Sequence, residues 1–483
     1  MIEYFNTVNY IPPDRARKEA AKTAAERTRP HMGTDFTEGS IMPMLLRFML
    51  PFLLASILNS VYNTVDTIII GHLVGKVGIV SVSMGGRMLN LFTQISMTLA
   101  GGGQVLISQQ FGAKRRDELN ATIGTLFTEM LVISVVMAVG TFLCSSLILH
   151  ALNTPEESLA GALSYLRITC VGLPLIFGYN AVSSVLRGMG DSRSPLIFIA
   201  IAAVFNLIGD IVFIVIFHLG AAGTAIATVL GQGLSLAFSL VVLYRKRERF
   251  GFDFKLKSFA VDWGKLWIML KIGFPMTLRA LFINITQMIM LSYVNDYGLV
   301  ASAAYAVCDK IIHLTNIFTT SARQAAGGMI GQNIGAKKPE RVVIIVRCCA
   351  AVTLTAAAVL AASGMLFPRA YFSLFNNDPE VLEYARPFMN ITALIYLFGG
   401  LMAPFEAVVT GTGHSMLGFL GGMLDGVVFR FGFSFLFAFA LHMGVTGFLL
   451  GDALARLGPI IVSGSYYLSG AWRRRKRLVG DAD

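Results

Sequence analysis

Twelve stretches of this chain are long and apolar enough to cross a bilayer, which takes about 20 residues at 1.5 Å rise each. They run over 42–71, 79–108, 121–149, 159–186, 195–217, 221–244, 265–295, 300–331, 342–367, 383–410, 416–440 and 445–470. Inside hydrocarbon every backbone N–H and C=O must be paired within the spanning structure, so only α-helices or a closed β-barrel can cross. A barrel would show segments of about 10 residues with alternating polarity, and the chain shows none. Only 14% of residues are charged, against roughly 25% in soluble domains. The pattern predicts an all-α polytopic membrane protein with 12 transmembrane helices.

Basic residues set the expected orientation. The first forty residues, 114–116, 187–193, 245–265, 337–341 and the end of the chain hold 26 Lys and Arg, whereas the alternate loops hold only Lys76 and Arg369. Both termini are therefore expected in the cytoplasm, with the protein multi-pass in the plasma (inner) membrane. Clustering in these loops also accounts for the net charge of +11 without nucleic acid as a partner. Residues 1–40, with Pro12–Pro13 and Arg15–Ala16–Arg17–Lys18, lack a signal-peptide core. They read as a cytoplasmic tail, disordered before about Ser40. The five cysteines lie in or beside apolar runs, a placement that argues against a disulfide framework or a zinc site.

The chain repeats itself. Gln109–Gln110–Phe111–Gly112–Ala113–Lys114 recurs as Gln332–Asn333–Ile334–Gly335–Ala336–Lys337, and Gly188–Met189–Gly190–Asp191–Ser192 as Gly411–Thr412–Gly413–His414–Ser415, each 223 positions later. Pro51 maps to Pro275, and Gly220 with Gly223 to Gly444 with Gly447, 224 positions later. An even number of spans per half makes the repeats parallel, related by an axis along the membrane normal. The expected division is an N-lobe at 41–244, a basic, flexible linker at 245–264, a C-lobe at 265–471 and a basic tail at 472–483. Two pseudo-symmetric six-helix bundles around a midplane cavity suit alternating access. A channel would show a filter loop or charged ring. An enzyme would show a motif such as HExxH, GxSxG or a Walker loop. Neither is found, so the expectation is a gradient-driven transporter that is not an enzyme and needs no cofactor beyond its coupling ion.

A carboxylate in an apolar span costs about 2.5–3.5 kcal/mol to insert, which marks it as a functional candidate. Asp66 in the first helix, Asp210 in the fifth and Thr228 in the sixth all lie within ~12 Å of the outer helix ends. Asn206 precedes Asp210 by four residues and shares its helix face. Two acids in low dielectric do not both ionise cheaply, so such a layer suits a proton, or Na⁺ bound through oxygens. The plainer reading is that Asn206 and Asp210 bond each other and a neighbouring helix.

The run Tyr62–Asn63–Thr64–Val65–Asp66–Thr67 ahead of a glycine resembles the first-helix motif of the multidrug and toxic compound extrusion (MATE) family. So do Asn206–Leu207–Ile208–Gly209–Asp210–Ile211–Val212–Phe213, Gly220–Ala221–Ala222–Gly223–Thr224–Ala225–Ile226–Ala227–Thr228 and the turn Arg187–Gly188–Met189–Gly190–Asp191. The resemblance covers about residues 40–470. It implies a bacterial or archaeal type of member with the two-lobe MATE/MOP fold, exporting drugs in exchange for H⁺ or Na⁺. It places the cation or proton site at Asp66, Asn206, Asp210 and Thr228, with Asp66 and Asp210 as metal ligands only if the ion is Na⁺. Members read as sodium-coupled carry acids in the seventh and tenth helices. Here the seventh helix has Arg279 and no acid, and Glu406 sits near the inner end of the tenth, which favours a first-lobe site alone.

Tyr62, Asn63, Asp309, Lys310 and Arg430 are candidates to line the substrate cavity. Asp309 and Lys310 are adjacent and so point in different directions; pairing of either with Arg430 or Asp425 is the structural alternative. Asp452 and Arg456, four residues apart, are expected to pair. Cavity-lining Phe and Met would give the adaptable walls of promiscuous binders. The expected function is export of amphipathic organic cations by a monomer in the bilayer. Substrate enters from the cytoplasm or inner leaflet, the lobes rock outward, and a cation at Asp66/Asp210 displaces it. The alternative is a flippase or exporter of a lipid-linked or anionic substrate, for which Arg279, Lys310, Arg323 and Arg430 would line the cavity. A receptor or scaffold would leave the repeat and the buried acids unexplained.

Overall fold

The computed structural model describes residues 34–245, 247 and 251–479. The Arg15–Ala16–Arg17–Lys18 run, Lys246 and Arg249 of the expected linker, and 480–483 lie outside the described residues. Twelve long helices occur among those described: α1 Ile41–Leu73, α2 Gly75–Gly112, α3 Arg116–Ala151, α4 Glu156–Gly188, α5 Arg193–Ile211, α6 Gly220–Arg245, α7 Trp263–Asn295, α8 Leu299–Gly335, α9 Pro339–Leu366, α10 Ala385–Gly411, α11 from Ser415 and α12 from Val445. No strand occurs among the described residues. α5 ends in a π-helical turn, Val212–Ile216. α11 runs to Ala440 through two such turns, Leu424–Arg430 and Leu436–Ala440. α12 is interrupted at Arg456 just before Gly458–Pro459 and resumes to Leu468, as expected where proline removes a backbone donor.

Ten of these helices combine the length, hydropathy and low charge of a membrane span. The two that fall short are α2 and α8, whose C-terminal halves are rich in Gly and Gln. The reason is their position: they pack against each other, α2 also meets α7, and α8 also meets α1. They form the seam between lobes rather than a lipid face.

The repeat is written into the backbone. Lys114 and Lys337 have φ of 59° and 57°, His218 and His442 both 53°, and Gly190 and Gly413 84° and 67°. The π-helical turns at 212–216 and 436–440 keep the same spacing. One apolar core fills the first lobe around Leu126, Leu166, Phe177 and Phe198. Another fills the second around Cys308, Phe372, Phe388 and Phe448.

At the end of the bundle that carries the basic loops, the lobes are clasped by a reciprocal pair of glutamines. Gln109 of α2 donates from Nε2 to the Gly411 carbonyl of the second lobe at 3.0 Å. Gln332 of α8 donates to the Gly188 carbonyl of the first at 3.3 Å. Each glutamine accepts on Oε1 from a terminal segment: Gln332 from Phe36 N–H at 3.1 Å, Gln109 from Leu478 N–H at 3.0 Å. Both ends of the described chain are thus tied down, and the disorder expected before about Ser40 does not extend to Phe36. Phe36, Trp472 and Val479 are buried, and Arg341 donates to the carbonyls of Phe36 and Gly39. The linker, expected to be flexible, is docked as well. Asn120 donates to Ser258, Thr128 to the Phe259 carbonyl, and Asp262 N–H to Thr125, all on α3. Away from the basic end, α1 and α8 part around a cleft of about 780 Å³.

Candidate functional site

The polar layer of the first lobe is assembled from α1, α4, α5 and α6. α5 and α6 approach closely because Gly209 lacks a side chain; a Cβ there would lie 2.9 Å from that of Ala227. This brings Asn206 against Thr228. With its amide oriented to satisfy its neighbours, Asn206 donates from Nδ2 to Asp210 Oδ2 at 2.8 Å and to Tyr62 Oη at 3.0 Å. Its Oδ1 accepts from the Thr228 hydroxyl and from Thr228 N–H, each at 2.9 Å. Asp66 and Asp210 stand as neighbours in the same layer. One oxygen of each, Oδ1, is buried without a partner.

All four residues expected at the coupling site therefore meet in one cluster. The plainer expectation, an Asn206–Asp210 bond, is also present and is part of that cluster. Two tyrosines complete it. Tyr62, expected along the substrate cavity, sits within the layer. Tyr165 of α4 is 3% exposed and lies beside Thr228. Nothing in the sequence singled out Tyr165, because a tyrosine in an apolar run reads as an ordinary interface residue.

Two neighbouring carboxyl groups in a dry site do not both ionise cheaply, and a shared proton lets one donate to the other. Beneath the layer lies a cavity of about 170 Å³ inside the first lobe. Tyr62, Asn206 and Thr228 form its head, and Phe52, Tyr179 and Arg187 its end nearest the basic loops. Between the lobes, the larger cleft is walled by Asn59, Asn63, Thr64, His313, Asn316 and Thr320. Asn63 lines this cleft, whose wall is made of amides and hydroxyls with Ile68 and Ile317 rather than of Phe and Met.

The charges of the second lobe pair among themselves. Arg279 contacts Glu406, and Arg323 lies 3.5 Å from the other oxygen of Glu406. Arg430, expected at the cavity, is instead 5% exposed and held by Asp425 at 2.7 Å and by Asp452. The expected Asp452–Arg456 pair does not form. The π-helical turn at 424–430 puts Asp425 and Arg430, five residues apart, on one face, and the break in α12 turns Arg456 toward Gly399, where a Cβ would lie 3.4 Å from Nη1. Asp309 is exposed, near His313 and Arg430. Lys310 points elsewhere, its Nζ 5.9 Å from the Phe375 ring.

Residues 51–212 and 275–424 match the profile of the MatE family. The chain is 27% identical over 446 residues to "Probable multidrug resistance protein YpnP" of Bacillus subtilis, covering 92% of this chain and 98% of that one. It is 22% identical to "Probable multidrug resistance protein NorM" of Thermotoga maritima, covering 86% and 89%. It is 25% identical to a "FAD transporter" of Shewanella oneidensis, covering 68% and 74%. Among solved structures, an outward-facing MATE family transporter of the MOP superfamily superposes with a TM-score of 0.85 at 18% identity, covering 92% of this chain and 100% of the other.

Proposed function

Since the chain belongs to the MatE family of multidrug efflux transporters, we propose that it exports amphipathic organic cations in exchange for protons taken up at Asp66 and Asp210. The observation that carries the reading is the Asp66–Asp210 pair at the head of a cavity. Proton uptake cancels the negative charge there and removes the attraction for a bound cation; loss of the proton restores it. Asn206 and Thr228 hold Asp210 in place, and Tyr62 transmits its position to α1. Substrate is taken up at the end carrying the basic loops, which the charge bias puts in the cytoplasm together with both termini.

The alternative, a lipid-linked or anionic cargo recognised by second-lobe arginines, draws little support. Arg279, Arg323 and Arg430 already face Glu406, Asp425 and Asp452. The deciding experiment is dye efflux from proteoliposomes with a pH gradient and a Na⁺ gradient imposed separately. Efflux should follow the pH gradient, and Asp66→Asn should abolish it while expression and folding persist. Full-rate efflux in Asp66→Asn, or drive by Na⁺ alone, defeats the proposal.

A further inference from the structure

The end of the first-lobe cavity opposite the acids holds a positive charge that proton exchange does not use. Arg187, in the last turn of α4, borders this cavity. Its Cζ lies 5.4 Å from the Phe52 ring centroid, and its Nε is buried with no hydrogen-bond partner. Among the described residues its guanidinium makes no hydrogen bond and meets no carboxylate. Arg279, Arg323 and Arg430, by contrast, each face one.

A guanidinium presents five N–H donors in a planar fork and no acceptor. The helix C-terminus favours a positive charge there, and the Phe52 ring contributes a cation–π contact. Neither supplies an acceptor for those N–H groups. The neighbouring walls are neutral. Tyr179 donates its hydroxyl proton to the Pro195 carbonyl at 3.2 Å, Asn180 its amide to the Ile176 carbonyl at 3.1 Å, and Ser56, Gln232 and Gln324 carry no charge. Arg187 is half-buried with its Nε out of reach of solvent, and its planar fork matches an oxyanion held by two parallel hydrogen bonds. The acceptor that this chain omits is one that an occupant of the cavity can bring.

We propose that Arg187 is an anion subsite for a carboxylate borne by the substrate. With Asp66 and Asp210 just beyond the Tyr62, Asn206 and Thr228 head and Arg187 at the other end, the cavity is bipolar, and it selects molecules that carry an oxyanion some distance from their cationic group. The inference rests on the first-lobe cavity being a substrate site, as the proposed function has it. Glu406 and the acids of α11 and α12 are occupied by other arginines and do not compete for this role.

The test uses two dyes that differ only at this group: tetramethylrhodamine, with a free carboxylate, and its methyl ester. Affinities for both are measured on the full-length protein in nanodiscs, for wild type, Arg187→Gln, Arg187→Lys and Asp66→Asn. The ratio of carboxylate to ester affinity should fall about tenfold or more in Arg187→Gln, the range for a lost charged hydrogen bond. Arg187→Lys, which keeps the charge but not the fork, should fall less. A ratio unchanged in Arg187→Gln overturns the subsite, even if both affinities drop together as a purely structural role would produce. Should Arg187→Gln not fold, an unchanged ratio in Arg187→Lys overturns it equally. Asp66→Asn should leave the ratio near wild type while abolishing pH-driven transport of both dyes. Transport surviving in that variant sinks the proton site without touching the Arg187 ratio.

Discussion

Asn206 ties three helices together through one amide. It donates to Asp210 on its own helix and to Tyr62 of α1, and accepts twice from Thr228 of α6. Replacing it with leucine of similar volume strands those partners in a dry site, at about 1–3 kcal/mol for each group left unsatisfied. Asn206→Leu should therefore lower the unfolding temperature in detergent and stop proton-driven efflux; a variant that unfolds and transports like wild type would refute this account of the layer. Much of the layer was legible beforehand, because Asp66, Asp210, Asn206 and Thr228 are polar residues at matched depth in apolar runs, and depth follows from counting. Tyr165 was not, since nothing local separates it from a core tyrosine. Nor was the capture of Arg430 by Asp425 and Asp452, because counting at α-helical period does not anticipate a π-helical turn or the bend at Gly458–Pro459.

Among the elements, α2 and α8 carry the strictest packing demand. A Cβ on Gly112 would sit 1.9 Å from the Gln332 carbonyl oxygen, and one on Gly335 2.0 Å from that of Gln109. The obstacle in each case is backbone, so no rotamer change relieves it. Gly112→Ala and Gly335→Ala should each separate the two helices and cost about 1–3 kcal/mol, the usual range for overpacking. Gly86→Ala on the same helix, with nothing within 4 Å of its Cβ, should be neutral or slightly stabilising through helix propensity. Thermal unfolding of the three variants checks the contrast. The repeated Gly-Ala-Lys of 112–114 and 335–337 foreshadowed a symmetric pair of structures. That the two would cross each other at those glycines is a property of the assembled lobes and leaves no local mark in the sequence.

Across the whole molecule, the Gln109 and Gln332 clasps join the lobes at the basic end while α1 and α8 stand apart elsewhere. Alternating access in the proposed cycle requires these bonds to break when that end opens. The double variant Gln109→Leu/Gln332→Leu should raise amide hydrogen exchange in 34–39, 331–337 and 475–479 together, with little change in the outer half of α4. Unaltered exchange in those three segments would show that the glutamines do not hold the seam. The same clasps also fix an order of construction. Phe36 finds its partner 296 residues downstream, and Gln109 waits for one 369 residues downstream. At about 5–20 residues per second of synthesis, Gln332 is made roughly 4–18 s after the first lobe and meets Phe36 and Gly188 already in place, whereas Gln109 waits roughly 12–47 s for Leu478. Full closure of the basic end thus waits for the second lobe, and a ribosome stalled in the second lobe leaves a nearly complete first lobe unsealed.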